Sequence, residues 1–203
     1  MGRPLFDYKI LYKALSTSFT KFLTNPRITI GLLLLVTTFP LAAQISPSRE
    51  YQLKAAFLFN FTQFVEWPPG AFPPGQAWRI GVLGDNPFKS YLDEIVSGEK
   101  VNEHQVIIHY YKTMDEVKDC HILFVNLKDE KMQQDVLGEL KGRNILTVSD
   151  DLSFLENGGM IRLFVRNNKM KIQVNLEASK AADLVISSKL LRLAEIFTPE
   201  ENN

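Results

Sequence analysis

Polar side chains stand directly after three apolar segments of the sequence, and their types suit the binding of a small ligand. If the segments are parallel strands, their carboxyl ends share one edge of a sheet, which is where α/β proteins bind ligands. We therefore predict a ligand-binding crevice at this edge. Its candidate residues are Asp85, Asn86, Asn126, Ser149 and Asp150.

Two of these residues have an alternative role as helix caps. Asp85 and Asp150 each precede a segment that could begin a helix, and aspartate is a favoured N-cap residue. Pro87 would suit the first turn of the helix after Asp85. Capping requires no ligand, so the sequence leaves both roles open.

The histidines and the cysteine do not form a metal-binding or nucleophilic pattern. His104 and His109 are five residues apart in a predicted strand, so their side chains point to opposite faces. His121 and Cys120 are adjacent and diverge in the same way. The chain also lacks a P-loop, GxGxxG, GxSxG and HExxH. We predict no metal, no cofactor and no enzymatic activity.

Cys120 is the only cysteine of the chain. It cannot form an intramolecular disulfide, so it is either buried or paired with another chain. Because it stands at the start of an apolar strand, we expect it to be buried.

Predicted strands and helices alternate along most of the chain. This alternation predicts an α/β fold with a largely parallel sheet and helices on both faces. Near the carboxyl end, two strands flank Asn167 and Asn168, which suit the positive φ angles of a tight turn and predict an antiparallel hairpin. A single helix over residues 177–197 is expected to follow.

The first predicted helix covers residues 49–66, with Ser48 as its N-cap and Pro68 beyond its end. It is apolar around much of its circumference, so it must be covered on more than one side. Most of its phenylalanines are expected in the core. Phe59 lies outside the main apolar stripes, and we predict that Phe59 and Trp67 contact a second copy or a partner protein.

Residues 1–43 resemble an export signal. Five basic residues and one acid precede an apolar run, and small residues follow it at Ala42 and Ala43. The run is shorter than the roughly 20 residues of a membrane span, although an uncleaved anchor is the alternative. We predict a signal peptide over 1–43 and a single domain over 44–203.

The predicted mature chain is mildly acidic. Residues 44–203 contain 18 basic and 22 acidic residues, a net charge of −4. Nucleic-acid binding requires a concentrated basic surface, so no nucleic acid is expected among its partners.

Several blocks of the sequence, in order, resemble the YfiR family of exported bacterial proteins. They cover essentially the whole predicted mature chain, and together they make the resemblance specific. The blocks are 54–61, 64–68, 82–84, 86–88, 120–124, 146–150, 158–161, Asn175 and 187–191.

The resemblance implies a periplasmic, non-enzymatic regulator with an α/β domain that is commonly dimeric. The family's namesake restrains an inner-membrane diguanylate cyclase by binding its periplasmic sensory region, and release raises cyclic di-GMP and favours biofilm formation. We therefore expect an inner-membrane sensor, either a diguanylate cyclase or a histidine kinase, as partner, and a homodimer is possible. A periplasmic small-ligand binding module is the alternative function.

The chain departs from some of its relatives at one position. The resemblance implies that a cysteine in the strand around Gly81 can pair with the residue that matches Cys120. Because this chain has glycine there, that disulfide and any redox control that depends on it are absent.

Overall fold

The computed structural model describes residues 45–71 and 75–199. The predicted export signal over 1–43 lies outside the described residues, so both the signal and the domain boundary stay predictions. Within the part of the chain that is described, no helix has both the length and the apolar character needed to cross a membrane.

The described residues form five α-helices and ten strands. The helices are α1 Pro47–Phe64, α2 Tyr91–Val96, α3 Glu130–Leu140, α4 Leu176–Ala181 and α5 Ser188–Leu191. The strands are β1 Val65–Glu66, β2 Trp78–Gly84, β3 Lys100–Val101, β4 His104–Tyr111, β5 Ile122–Asn126, β6 Leu146–Ser149, β7 Ile161–Arg166, β8 Lys169–Val174, β9 Val185–Ile186 and β10 Ala194–Ile196.

Eight of these strands form one sheet in the order β10-β8-β7-β6-β5-β2-β4-β3. The run β7-β6-β5-β2-β4 is parallel throughout, and β7 pairs with β8 as an antiparallel hairpin. Asn167 and Asn168 have φ angles of 52° and 59° at its turn. The predicted α/β class, the largely parallel sheet and the carboxyl-terminal hairpin are thus confirmed.

Helices cover both faces of the sheet, as predicted. On one face, Leu58 and Phe61 of α1 and Leu92 of α2 pack with the strands in a first hydrophobic cluster. On the other face, Leu137 and Leu140 of α3 pack in a second cluster. Alternate residues of each strand contribute to the two clusters, because successive side chains of a strand point to opposite faces of the sheet.

The predicted bounds of the first helix are wrong by two residues at each end. Ser46, not Ser48, is the N-cap, and its hydroxyl accepts a hydrogen bond from the Arg49 amide at 3.3 Å. Pro47 then takes the first helical position, which suits its fixed φ. At the other end, the helix stops at Phe64, and β1 follows it and pairs antiparallel with β9.

The predicted helix after Asp85 begins later than expected. The Asn86 side chain accepts a hydrogen bond from the Phe88 amide at 2.9 Å, and Lys89 has a φ of 55°. This local turn competes with helix formation, so α2 starts only at Tyr91.

The single helix predicted over 177–197 is also wrong. That segment contains two short helices and two short strands, α4, β9, α5 and β10. Asp183 has a φ of 53°, which ends the first helical piece. Ser187 caps the second, accepting a hydrogen bond from the Leu190 amide at 3.3 Å. Leu184, Ile186 and Leu190 are each buried, although they lie in different short segments. Their apolar spacing therefore resembled that of one helix.

Candidate functional site

Helix α1 connects the two edges of the central parallel strands. We define the carboxyl edge as the side where β2, β5 and β6 end, and the amino edge as the side where they begin. Lys54 in α1 contacts Asp150, which follows β6, at the carboxyl edge. Trp67, which follows α1 and the short strand β1, contacts Trp78, the first residue of β2, at the amino edge. The two edges differ in chemistry.

At the carboxyl edge, the strand ends meet as the sequence predicts. Gly84 of β2 is in register with Asn126 of β5. The Asn126 side-chain amide donates to the Asp85 carbonyl at 2.8 Å. The Ser149 hydroxyl, which is buried, donates to the Val125 carbonyl at 2.7 Å. These polar groups therefore bind the strands to each other.

Neither aspartate of the predicted crevice acts as a helix cap. The exposed carboxylate of Asp85 lies 2.9 Å from the Lys128 ammonium group, and α2 begins beyond the Asn86 turn. Asp150 precedes a series of turns, not a helix. The capping role proposed for both residues is therefore wrong.

Asp150 belongs to a half-buried polar cluster around Lys54 that the sequence does not reveal. The Lys54 ammonium group lies 2.5 Å from Asp150 Oδ2 and 2.5 Å from Glu50 Oε1. The Tyr51 hydroxyl donates to the same Asp150 oxygen at 2.9 Å, and the Lys54 nitrogen lies 4.4 Å from the centre of the Tyr51 ring. Lys54 is only 1% exposed.

The cluster also fixes the state of the Tyr51 hydroxyl. Burial, followed by the neighbouring Asp150 carboxylate, raises the pKa of the Tyr51 hydroxyl, so Tyr51 remains a neutral hydrogen-bond donor. A buried ammonium group needs such partners, since an unpaired one is strongly unfavourable. The cluster anchors α1 to the end of β6.

The predicted crevice residues thus already have partners inside the protein. Their side chains lie at one edge but have separate partners. Asn126 donates to the Asp85 carbonyl, Ser149 donates to the Val125 carbonyl, and Asp150 accepts from Lys54. Whether they also bind a ligand stays a prediction. Across residues 45–71 and 75–199, no group of three or more His, Cys, Asp or Glu side chains could hold a metal ion.

The amino edge is aromatic. The Trp67 and Trp78 rings lie 4.9 Å apart between centres and meet edge to face, and Trp78 is 5.3 Å from the His121 ring. The Trp67 indole nitrogen donates to the Asn144 carbonyl at 3.0 Å, just before β6. The Arg79 amide donates to His121 Nδ1 at 3.0 Å. Aromatic packing and backbone hydrogen bonds anchor this end of α1.

An open cavity of about 750 Å³ lies against this aromatic cluster. Its lining includes Trp67 and Trp78 together with the charged residues Glu66 and Lys100. Trp67 is half-buried, so part of its ring faces this space. Phe59 is also half-buried and packs against the first hydrophobic cluster. Their contact with a second copy or a partner stays a prediction.

Cys120 is buried at the amino edge, as predicted, with 4% of its surface exposed. Burial raises the pKa of its thiol to about 12, so the thiol is protonated and a poor nucleophile. A Cβ atom built on Gly81 would lie 2.9 Å from Cys120 Sγ. The position at which the resemblance implies a cysteine in relatives is therefore adjacent to this thiol.

Comparison with known proteins identifies the family. No curated protein matches the chain. The model of the YfiR/HmsC-like family matches residues 51–195, well over half of the 203 residues. This match includes α1 from Tyr51 onward, both edges of the sheet and the hairpin. The chain belongs to the YfiR/HmsC-like family.

Proposed function

We propose that the protein is an exported, non-enzymatic regulator that binds the periplasmic part of an inner-membrane sensor and controls its output. The sensor is a diguanylate cyclase or a histidine kinase. The observation that carries this proposal is the family match over residues 51–195, because the YfiR/HmsC-like family implies a periplasmic regulator of cyclic di-GMP signalling.

The state of the polar side chains supports binding over catalysis. The Ser149 hydroxyl already donates to a backbone carbonyl, and the Cys120 thiol keeps its proton because burial raises its pKa to about 12. His121 Nδ1 accepts a backbone hydrogen bond. Among the described residues, the Ser149 hydroxyl and the Cys120 thiol donate to backbone carbonyls and not to a base that would activate them for nucleophilic attack.

Regulation by contact requires different affinities for two states of the sensor. A protein that binds the inactive state more tightly shifts the population toward it, and its release restores activity. Under this proposal, residues 1–43 direct export and residues 44–203 form the single domain that makes the contact. Phe59 and Trp67 contribute a surface that takes either the sensor or a second copy.

Affinity purification from a detergent extract of membranes tests the proposal. Tagged protein from the full-length gene should recover an inner-membrane cyclase or sensor kinase with a periplasmic region, identified by mass spectrometry. A tagged unrelated periplasmic protein is the control. Recovery of no such sensor would contradict the proposal.

A charge reversal beside Trp67 tests the proposed surface. Glu66 is exposed at the mouth of the aromatic cavity, so Glu66→Lys changes this surface without disturbing the core. Glu139→Lys on the exposed side of α3 is the matched control. We expect Glu66→Lys alone to weaken sensor recovery or to shift the oligomeric state in size-exclusion chromatography. If both variants behave as wild type, the surface lies elsewhere.

A further inference from the structure

The β7–β8 hairpin extends beyond the carboxyl edge of the sheet. Ser149, the last residue of β6, is in register with Arg162, the second residue of β7. The remaining four residues of β7 therefore project by roughly 13 Å past the end of β6. Leu163 and Ile172 on the inner face of this projection are buried in the first hydrophobic cluster.

The opposite face of the hairpin is basic. Since neighbouring strand residues point to opposite faces, Arg162, Phe164 and Arg166 share the outer face of β7. Their register partners on β8 are Gln173, Lys171 and Lys169. We call this the basic face; it consists of Arg162, Phe164, Arg166, Lys169 and Lys171. Four cations on one hairpin are notable in a predicted mature chain whose net charge is −4.

Two arginines flank the single aromatic ring of this face. The guanidinium carbon of Arg162 lies 4.5 Å from the centre of the Phe164 ring, and that of Arg166 lies 5.5 Å from it. Packing on a ring orients a guanidinium group and leaves its N–H edges available to an acceptor. Such an edge matches the two oxygens of a carboxylate.

The acids of the protein only partly neutralise the basic face. Glu195 pairs with Arg166 and lies 3.7 Å from Lys171. The Arg162 Nε atom, in contrast, is buried and has no hydrogen-bond partner among the described residues. Burial lowers the pKa of Arg162. The carboxylates of Asp151, Asp150 and Glu156 act in the opposite direction and raise this pKa, although none of them forms an ion pair with Arg162 within the described residues. Arg162 is therefore a half-buried cation with unused donor capacity.

We propose that the basic face binds an acidic protein segment of the sensor, with Arg162 receiving a carboxylate. This inference rests on the proposed function and adds the chemistry of the partner. A flexible chain can bring a carboxylate to the half-buried Arg162. A flat layer of lipid headgroups would instead meet the exposed Arg166 and Lys169 first.

Binding of a defined probe tests the inference without the sensor. The probe is a labelled synthetic peptide of alternating glutamate and serine, and its counterpart with glutamine is the control. Fluorescence anisotropy with protein from the full-length gene should show salt-sensitive binding of the glutamate peptide alone. Arg162→Gln with Arg166→Gln should weaken this binding by about tenfold or more. The matched pair Lys118→Gln with Lys131→Gln, which removes the same charge from exposed sites, should leave it unchanged.

Three further experiments separate loss of binding from misfolding and from membrane attachment. Urea unfolding of each variant establishes that it is folded. A second double variant, Arg166→Gln with Lys169→Gln, removes two charges from exposed positions of the basic face and should also weaken binding. Vesicles of phosphatidylglycerol and phosphatidylethanolamine test a membrane surface as the occupant. Equal binding by all variants, or binding of vesicles but not of the peptide, would overturn the inference.

Sensor recovery separates this inference from the proposed function. If wild-type protein recovers a membrane sensor and the Arg162→Gln, Arg166→Gln variant recovers it equally well, the basic face is not the contact and the proposed function stands. If wild-type protein recovers no sensor, the proposed function fails, whatever the peptide shows. Loss of recovery with the double variant alone supports both.

Discussion

The two ends of helix α1 are fixed to the same sheet by different forces. At the carboxyl edge, Lys54 is held between Asp150 and Glu50 by charge. At the amino edge, Trp67 is held by the Trp78 ring and by a hydrogen bond to the Asn144 carbonyl. A buried ion pair is costly to break but adds little to stability over apolar packing, whereas aromatic packing contributes directly.

This difference shows what a polar residue at a strand end does and does not indicate. The carboxyl edge carries the residue types of a ligand site, yet its side chains bond to the backbone of neighbouring segments and to α1. The amino edge was not predicted as a ligand site, yet an open cavity lies against its aromatic cluster. The two edges therefore differ in what a substitution should cost.

Removal of the buried cation should have the largest effect. Lys54→Met leaves Asp150 and Glu50 without their partner, and we expect a loss of about 3 kcal/mol in the free energy of unfolding. Urea denaturation measures this loss. Lys131→Met is the control, because it breaks an exposed pair of similar helical spacing with Asp135 and should cause no measurable change. Equal effects of the two substitutions would show that the Lys54 cluster is not an anchor.

Truncation at the aromatic edge should have the next largest effect. Trp67→Ala removes the contact with Trp78 and the hydrogen bond to Asn144, and we expect a loss of about 2 kcal/mol. Trp67→Phe keeps a ring but not the indole donor, so it should cost only about 1 kcal/mol. If the phenylalanine variant loses as much as alanine, then the hydrogen bond and not the packing holds this end of α1.

A new covalent bond should strengthen the amino edge. In Gly81→Cys, the added side chain would start 2.9 Å from Cys120 Sγ. A bond between positions 81 and 120 closes a loop of about 40 residues, which stabilises a protein by about 3–4 kcal/mol if the effect is the lost entropy of the unfolded chain. Contacts of the new Cβ at 2.6 Å from Tyr111 and 2.8 Å from Leu123 offset part of this gain. We expect a net gain of about 1–2 kcal/mol in the oxidised form.

Thiol titration and urea unfolding, with and without reductant, check this prediction. The oxidised variant should have no free thiol and a higher unfolding midpoint than its reduced form. Two free thiols under oxidising conditions would mean that the backbone does not allow the bond.

Acid pH should weaken the amino edge by the smallest amount. Burial lowers the pKa of His121 below 6.5, and its Nδ1 accepts a hydrogen bond that protonation would remove. As the pH falls, the unfolded chain therefore takes up a proton at His121 before the folded protein does. The stability that neutral His121 contributes is present above pH 6.5 and is lost as the pH falls through the lower pKa of the folded state.

Urea unfolding at a series of pH values measures this contribution. His121→Asn retains an acceptor for the Arg79 amide and should reduce the decline in stability below pH 6.5. His109→Asn, at an exposed position, should leave the decline as in wild type. An identical pH profile for all three proteins would contradict this assignment.

The sequence predicts those features that depend on local pattern. The bounds of β2 follow from a short apolar run, and the hairpin follows from two asparagines that tolerate positive φ. The alternation of strands and helices predicts the parallel sheet. The prediction of a single helix over 177–197 was wrong, because short segments that pack separately can give the same apolar pattern as a helix covered on all sides.

The candidate site was harder to predict because its contacts are distant in sequence. Lys54 and Asp150 are 96 residues apart, and a lysine in an amphipathic helix is normally expected on the solvent side. One signal was present: Lys54 stands among apolar residues in a helix that must be covered on several sides. The contact of Trp67 with a partner or a second copy stays a prediction, and its pairing with Trp78 depends on the tertiary fold.

Cellular cyclic di-GMP reports whether the protein restrains a membrane diguanylate cyclase. Its concentration should be measured in cells that carry the gene, in cells that lack it, and in cells in which the wild-type gene has been restored. We predict a rise when the gene is deleted, because restraint on a membrane diguanylate cyclase is released, and a return to the original level on restoration. An unchanged concentration across the three strains would contradict a role in cyclic di-GMP signalling.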